Sequence, residues 1–597
     1  MAVKTLGVLW LTSICVRFLW TIYPQTGYIH PDEFFQSPEI ISGDVLGVYS
    51  LRTWEFNSSF PLRSVVFPYL TAGFPFWILR HFTNGRGEFD SRTLLILPRL
   101  SFCLFSLAVD FCGYRIAEVL HIDPLPVLTL IGTSYTSLVF LTRPFSNSTE
   151  SALFALLLWF VIAVIASTWT TSGQNEGSKM ARLFFIGVII ASGFWNRPTF
   201  VGFGLIPVLS LLAALSLRHT ALNASSFVVI ILKDILFIAV GFLAAALIFV
   251  TIDSFYFSEA YFRITITPLN FLRYNLDSLK VEEHGIHPRF THFLVNFPLL
   301  CGILFVFLCA FLVTFAMQRD FVKTLETFQI SRDTMKMVKY ASVKFILVTL
   351  LLSALVPVSL LSVIPHQEPR FILPVLLPLA ILFSHLIFGK KAYWIATASW
   401  IIWNILGAVV FGVLHQGGVT QCLVYLQQQM HAKDGTYHII FSNTYMPPRH
   451  LLAWSSHDNS NQQVLSRKPG LNVYDLAGQP ITEINAKLTG ILKVENKENA
   501  KRMTILLVAP SKIQFHHKDF TLIKQFYPHL SMEHPPNVMA AFVQENLERC
   551  HHGSTLKSHL GQKVDQPYCV NKRETLSNWF KQEFALNLYK YTSEFLL

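Results

Sequence analysis

Apolar residues come in long runs from residue 6 to about residue 414, and then the runs stop. A helix of roughly 20 predominantly apolar residues crosses a bilayer. The runs at 5–23, 94–120, 125–141, 150–169, 183–196, 199–217, 227–250, 294–316, 345–364, 371–388 and 393–413 predict about eleven such spans. Several are short and predict tilted or broken helices. The stretch from Arg63 to Phe82 is also apolar enough to span, which would swap the side of every later loop unless another segment fails to cross; Pro68 and Pro75 would bend it, and the other reading is a re-entrant or interfacial stretch. Beyond 414 the chain is polar, and strand-like runs (His438–Phe441, Val473–Asp475, Thr504–Ala509) alternate with helical patterns. The pattern thus predicts an all-α polytopic membrane domain over 1–414 and a soluble mixed α/β domain over 415–597. No internal repeat of fixed period is present.

Composition supports lipid. The chain is 52% hydrophobic and 14% charged, where a soluble protein carries about a quarter charged residues. The net charge of +11 comes largely from basic residues that flank apolar runs, so nucleic acid is not the expected partner. Lys179, Arg182, Arg218, Lys233, Lys323, Arg332, Lys336, Lys339, Lys390 and Lys391 fall on one side, which the positive-inside rule makes cytoplasmic. The other side holds 24–93, 142–149, 196–199, 251–293, 365–370 and everything after 414. The first run follows Lys4, lacks an A-x-A-like site, and reads as an uncleaved span with a cytoplasmic N-terminus. Of the sequons at Asn57, Asn147 and Asn223, only Asn57 stands clear of the membrane on the non-cytoplasmic side and is the expected acceptor of a glycan. Cys15, Cys103, Cys112, Cys301 and Cys309 lie in apolar runs as packing residues, while Cys550 and Cys569 could pair in an oxidising compartment.

Five polar clusters fall on that second side. The first is His30-Pro31-Asp32-Glu33-Phe34-Phe35-Gln36, where Pro and two acids mark a helix start. Adjacent residues on a helix point about 100° apart, so only one acid can face a given substrate atom. The plain alternative is that both acids merely favour the positive helix end. The second is His366-Gln367-Glu368-Pro369-Arg370-Phe371, richer than a turn with a snorkelling Arg requires. The third runs from Thr142 through Arg143 and Asn147 to Glu150, the fourth is Asn196-Arg197-Pro198-Thr199, and the fifth comprises Asp253, Tyr256, Asn270, Tyr274, Asn275, His284 and His287. Scattered structural polar residues would fall on both faces; these share one. There is no HExxH, P-loop or GxSxG motif. His284 and His287 with Glu282 and Glu283 make only a weak metal pattern, and no metal or cofactor is expected. Asp110 is an acid inside a span and is expected to pair with Arg143 or with another helix.

His30-Pro31-Asp32-Glu33 resembles the signature of glycosyltransferase family 22, of the GT-C fold. The resemblance extends over Tyr28–Glu39, Trp54-Glu55-Phe56, Arg63-Ser64-Val65, Thr142–Glu150 and His366–Phe371, and reaches about residue 450 through His415-Gln416-Gly417-Gly418 and Thr444–Pro448. The bare four-residue motif also fits members that add the third mannose of glycosylphosphatidylinositol (GPI) precursors. The continuation Phe34–Pro38 favours members that add the fourth. The resemblance implies an endoplasmic-reticulum resident with a luminal first loop. It also implies dolichyl-phosphate mannose as donor and α-1,2 transfer to the third mannose of a GPI precursor.

A β-linked donor and an α product require inversion, hence one base and cationic or hydrogen-bond stabilisation of the leaving phosphate. The expected catalytic residues are Asp32, then Glu33. Arg370, His366, Glu368, His30, Arg143 and Arg197 are the expected donor phosphate or sugar contacts, and Gln36, Asn147, Tyr256 and His287 weaker acceptor contacts. Other classes stay open on sequence: a lipid transporter or flippase, a non-catalytic scaffold subunit, or a mannosyltransferase acting on lipid-linked N-glycan precursors. Oligomeric state is not legible.

Overall fold

The computed structural model describes residues 3–83, 89–168, 176–218, 224–259, 261–275, 285–328, 341–389, 392–431, 435–454, 470–494, 503–513, 519–537 and 579–592. Asn223, Glu282, Glu283, His284, Arg332, Lys336, Lys339, Lys390, Lys391, Cys550 and Cys569 lie outside the described residues.

Nine helices among the described residues are long and apolar enough to cross a membrane: Lys4–Ile22, Ser91–Val119, Ser146–Thr168, Glu176–Asn196, Phe200–Leu217, Val228–Phe257, Ser342–Leu361, Pro369–Phe388 and Trp394–Leu414. The protein is a polytopic membrane protein. The two remaining apolar runs are broken, each for a local reason. In 125–141 the helix Pro124–Thr133 ends at Ser134, and the amide of Tyr135 freed by the break donates to Asn404 Oδ1 at 2.7 Å. A backbone break at this depth survives only where its polar groups find protein partners. In 294–316 the break falls at Gly302, which has φ +52°, a left-handed value that glycine adopts readily.

Two ion pairs join helices inside the bundle. Asp110 accepts from Arg17 Nη1 at 2.8 Å and Trp10 Nε1 at 3.1 Å. Its partner is therefore the first helix; Arg143 is engaged elsewhere. Lys179, which the charge pattern placed at a helix end, is buried in a 2.7 Å ion pair with Asp234. Residues 66–82 form a helix with a wide turn over Tyr69–Gly73. Thr71, Ala72 and Phe76 are buried on one side, and Leu70, Phe74, Trp77 and Phe82 are exposed on the other. This segment is not one of the nine, and its two-sided character suits an interfacial helix.

After residue 414 the helix Gly417–His431 leads into a five-stranded sheet: β1 (Thr436–Phe441), β2 (Leu471–Asp475), β3 (Met503–Pro510), β4 (Phe520–Phe526) and β5 (Leu586–Tyr591). The order is β2-β1-β3-β5-β4; β2, β1 and β3 run parallel, and β5 is antiparallel to both neighbours. All three strand-like runs read from sequence lie in these strands. Alternation along β1 splits it between two cores. Ile440 joins Ile484, Leu488 and Ile491 of the helix Ile481–Val494. Ile439 and Phe441 join Leu423 and Leu426 and, with them, Tyr28, Phe34 and Phe35 of the first loop. The sheet and the first loop thus share one hydrophobic core, which fixes the loop from the side opposite the bundle.

Candidate active site

The short helix Asp32–Phe35 follows Pro31, whose φ of −52° and ψ of −35° are already helical. It sends its two acids apart. Glu33 turns inward, is fully buried, and accepts from Arg99 at 3.0 and 2.6 Å and from Arg143 Nη1 at 2.9 Å to both oxygens. Arg99 also donates to the Gln25 carbonyl, and Arg143 to the Gly27 carbonyl and Gln25 Oε1. This triad ties the chain leaving the first span to the helix Ser91–Val119 and to the turn that precedes the helix Ser146–Thr168. The expectation of Arg143 as a donor-phosphate contact is corrected: its side chain is 0% exposed and committed to Glu33. For the same reason Glu33 is inaccessible to a substrate hydroxyl.

Asp32 turns outward, with its side chain about a quarter exposed. Arg370 Nη1 donates to its Oδ2 at 2.6 Å, and the Gln36 amide donates to the same oxygen. Among the described residues, Oδ1 has only His30 Nδ1, at 3.5 Å. Burial pushes the Asp32 carboxyl up, but Arg370 and His30 outweigh it and hold it well below the usual carboxylate range.

The second cluster arrives at the same point. Gln367 pins its loop, accepting from the His292 amide at 2.8 Å and donating to the Ser362 carbonyl at 3.0 Å. Glu368 accepts from Arg370 Nε at 2.5 Å and Nη2 at 3.1 Å, lies 2.6 Å from His366 Nε2, and stands 3.5 Å from His30 Nε2. Burial opposes its charge, but Arg370 and His30 hold its carboxyl far below the usual range. His30, Asp32, His366, Glu368 and Arg370, from opposite ends of the bundle's sequence, are therefore one constellation.

The third and fourth clusters extend it. Ser146 Oγ donates to Gln36 Oε1 at 2.9 Å and accepts from Arg197 Nη1 at 3.0 Å. A directed chain of hydrogen bonds thus runs from Arg197 through Ser146 and Gln36 to Asp32. Arg197 lies 3.6 Å from Glu150, and Asn147, fully buried, accepts from Arg197 at 3.5 Å. The guanidinium groups of Arg197 and Arg370 sit 5.1 and 5.3 Å from the centre of the Phe371 ring. Among the described residues, no hydrogen bond is made from Arg197 Nη2.

The four weaker acceptor expectations, Gln36, Asn147, Tyr256 and His287, all have protein partners in the structure. Gln36 bonds Asp32 and Ser146, and Asn147, fully buried, bonds Arg197 and Glu150. Tyr256 donates to Asp44 Oδ2 at 2.5 Å in a separate surface group with Arg52 and Tyr69. His287 packs on the 365–367 turn, accepting from the Gln367 amide at 3.4 Å with its ring 5.7 Å from that of His366. Asn57 is exposed, its Oδ1 accepting from Ser59 Oγ at 2.9 Å within its own sequon. Among the described residues, no three metal-ligand side chains gather in a form suited to a metal ion.

Sequence reasoning missed Arg99, although an arginine in an apolar run needs a partner. It also missed Glu39, which is fully buried and accepts from the amides of Leu51, Arg449 and His450 at 2.8, 3.1 and 3.2 Å and lies 2.5 Å from His450 Nδ1. This contact clamps the 449–452 turn onto the first loop, and no local pattern announces it.

A bundle of spans with a carboxylate–guanidinium site at one end is the frame of a membrane glycosyltransferase, and residues 8–453 match the Alg9-like mannosyltransferase family model. The chain belongs to that family and is a glycosyltransferase. It is 36% identical over 562 residues to the human "GPI alpha-1,2-mannosyltransferase 4", covering 89% of this chain and 90% of that protein. It is 28% identical to "GPI mannosyltransferase 4" of Drosophila melanogaster (88% and 86% covered) and 26% identical to that of Candida albicans (88% and 95%).

Proposed function

We propose that the protein is a GT-C-type inverting α-1,2-mannosyltransferase of the endoplasmic-reticulum membrane. It takes mannose from dolichyl-phosphate mannose and adds it, in the lumen, as the fourth mannose of GPI precursors. The similarity to relatives of that name supports the substrate assignment. The single observation that carries the chemistry is the constellation of Asp32, Arg370 and Glu368.

The acceptor hydroxyl attacks the anomeric carbon as the carbon–oxygen bond to phosphate breaks. The bonding pair leaves with the phosphate, and the hydroxyl proton passes to Asp32. Oδ1 is the basic oxygen, because Oδ2 is held by Arg370 and Gln36. Arg370 spends donors on both carboxylates, so its chief role is to orient Asp32 and keep it ionised. Leaving-group charge falls to Arg197, whose uncommitted Nη2 suits a phosphate oxygen. His30 and His366 border Glu368 and complete the sugar side of the site. Asn57 is the proposed glycan acceptor. Residues 1–414 form the transferase domain, with 24–93 as its luminal catalytic loop. Residues 415–597 form a luminal domain that holds this loop.

The test is mass analysis of GPI intermediates in cells lacking this protein. The fourth mannose is expected to be missing, restored by the wild type and not by Asp32→Asn. Full-length GPI glycans in the null cells would refute the substrate assignment.

A further inference from the structure

Beside Asp32, separated from it by Gln36, lies a half-open pocket that none of the assigned roles uses. Gln36, Ser146, Thr149 and Asn196 form its polar side, and Phe67 and Phe102 belong to its apolar wall. Arg63 reaches into it. Its Nε donates to Glu55 at 2.7 Å, and its side chain is only 12% exposed. Among the described residues, neither terminal amino group of Arg63 makes a hydrogen bond. A guanidinium that lines a cavity and spends only its Nε on a carboxylate keeps two terminal amino groups available to an anion.

The backbone beneath Arg63 is held firmly. Asp253, fully buried in the long helix Val228–Phe257, accepts from Ser64 Oγ at 2.9 Å and from the Val65 amide at 3.1 Å. Asn270 Nδ2 donates to the Pro61 carbonyl at 2.9 Å. The fifth polar cluster thus builds the platform on which Arg63 stands. Arg63 is also among the charges that hold the Asp32 carboxyl down, after Arg370 and His30.

We propose that Arg63 is a binding residue for the phosphate of the polyprenyl-phosphate donor. Arg63 shares the pocket wall with Ser146, whose hydroxyl accepts from Arg197. The pocket's chemistry matches such a ligand. A monoanionic phosphate meets the guanidinium, and the first isoprene units follow the apolar wall at Phe67 and Phe102. The arrangement also explains how leaving-group charge is met while Arg370 is held by two carboxylates. This assignment rests on the mannosyl-transfer reading above.

The experiment uses the full-length protein reconstituted in lipid, with dolichyl phosphate as competitive product inhibitor of mannose transfer. Arg63→Gln is compared with Glu55→Gln, which breaks the same ion pair but keeps the cation. Arg63→Gln is expected to raise the inhibition constant of dolichyl phosphate, and the donor KM, by at least about tenfold. Glu55→Gln is expected to leave both within about twofold of wild type. Unchanged inhibition in Arg63→Gln, or equal weakening in both variants, would overturn the proposal, since the pair would then only brace the loop. A wild-type chain that transfers no mannose at all would instead overturn the functional reading itself.

Discussion

At the scale of single residues, two neighbouring acids have opposite fates because one helical step turns them about 100° apart. The rotation was legible in the sequence, but which acid faces the site was not, because that depends on where Arg99, Arg143 and Arg370 arrive. Two different failures follow on substitution. Glu33→Gln leaves Arg99 and Arg143 buried without a counter-charge, and removing one partner of a buried pair costs about 3–5 kcal/mol. This variant should lose activity through instability, seen as a lowered midpoint of thermal unfolding. Arg370→Gln should act through protonation. The Asp32 carboxyl is held below its ordinary value, so the ionised base persists as pH falls through about 4, where a free aspartate takes up its proton. Its contribution is lost only when pH falls through the lowered value. Without Arg370 that value rises, and the acid limb of the kcat/KM profile should move to higher pH. An unmoved limb in Arg370→Gln would show that Arg370 does not keep the base ionised.

At the scale of elements, hydropathy located every span, and the polar clusters between spans located most of the site. The positions 125–141 and 294–316 read as spans but form broken helices, since one buried amide to Asn404 and one left-handed Gly302 decide the break. Neither is visible to a sliding average. Ser146 and Gln36 were legible as polar residues but not as a relay, because their meaning comes from a hydrogen bond spanning 110 positions. Ser146→Ala removes the middle of that relay without creating a buried charge. It should lower kcat roughly tenfold with little change in unfolding temperature. A kcat equal to wild type would show that Gln36 and Arg370 orient Asp32 unaided.

At the scale of the whole molecule, the first loop is held between two bodies. The bundle grips it through Glu33 and Asp253, and the sheet domain through Glu39, Tyr28 and the shared core. Tyr28 Oη donates to the Met446 carbonyl at 2.9 Å, and the Tyr49 amide to the Trp454 carbonyl at 2.6 Å. The sequence announced the second domain by its polarity and strand patterns. It could not announce the clamp, since Glu39 and His450 meet across 411 positions. Glu39→Gln weakens the charge-assisted bonds of a buried acceptor by about 1–3 kcal/mol. The expected outcome is faster hydrogen exchange in both 37–51 and 443–454, together rather than separately. Protection lost in only one segment would contradict a shared clamp.

The central claim is that Asp32, fixed by Arg370 and Gln36, accepts the proton of the attacking hydroxyl. It is tested most directly by the rate of mannose transfer from dolichyl-phosphate mannose by purified Asp32→Asn, with its thermal unfolding measured alongside. The account predicts a rate lower by about 10²–10⁴ in a protein that unfolds near the wild-type temperature. A folded Asp32→Asn that transfers mannose at close to the wild-type rate would contradict it.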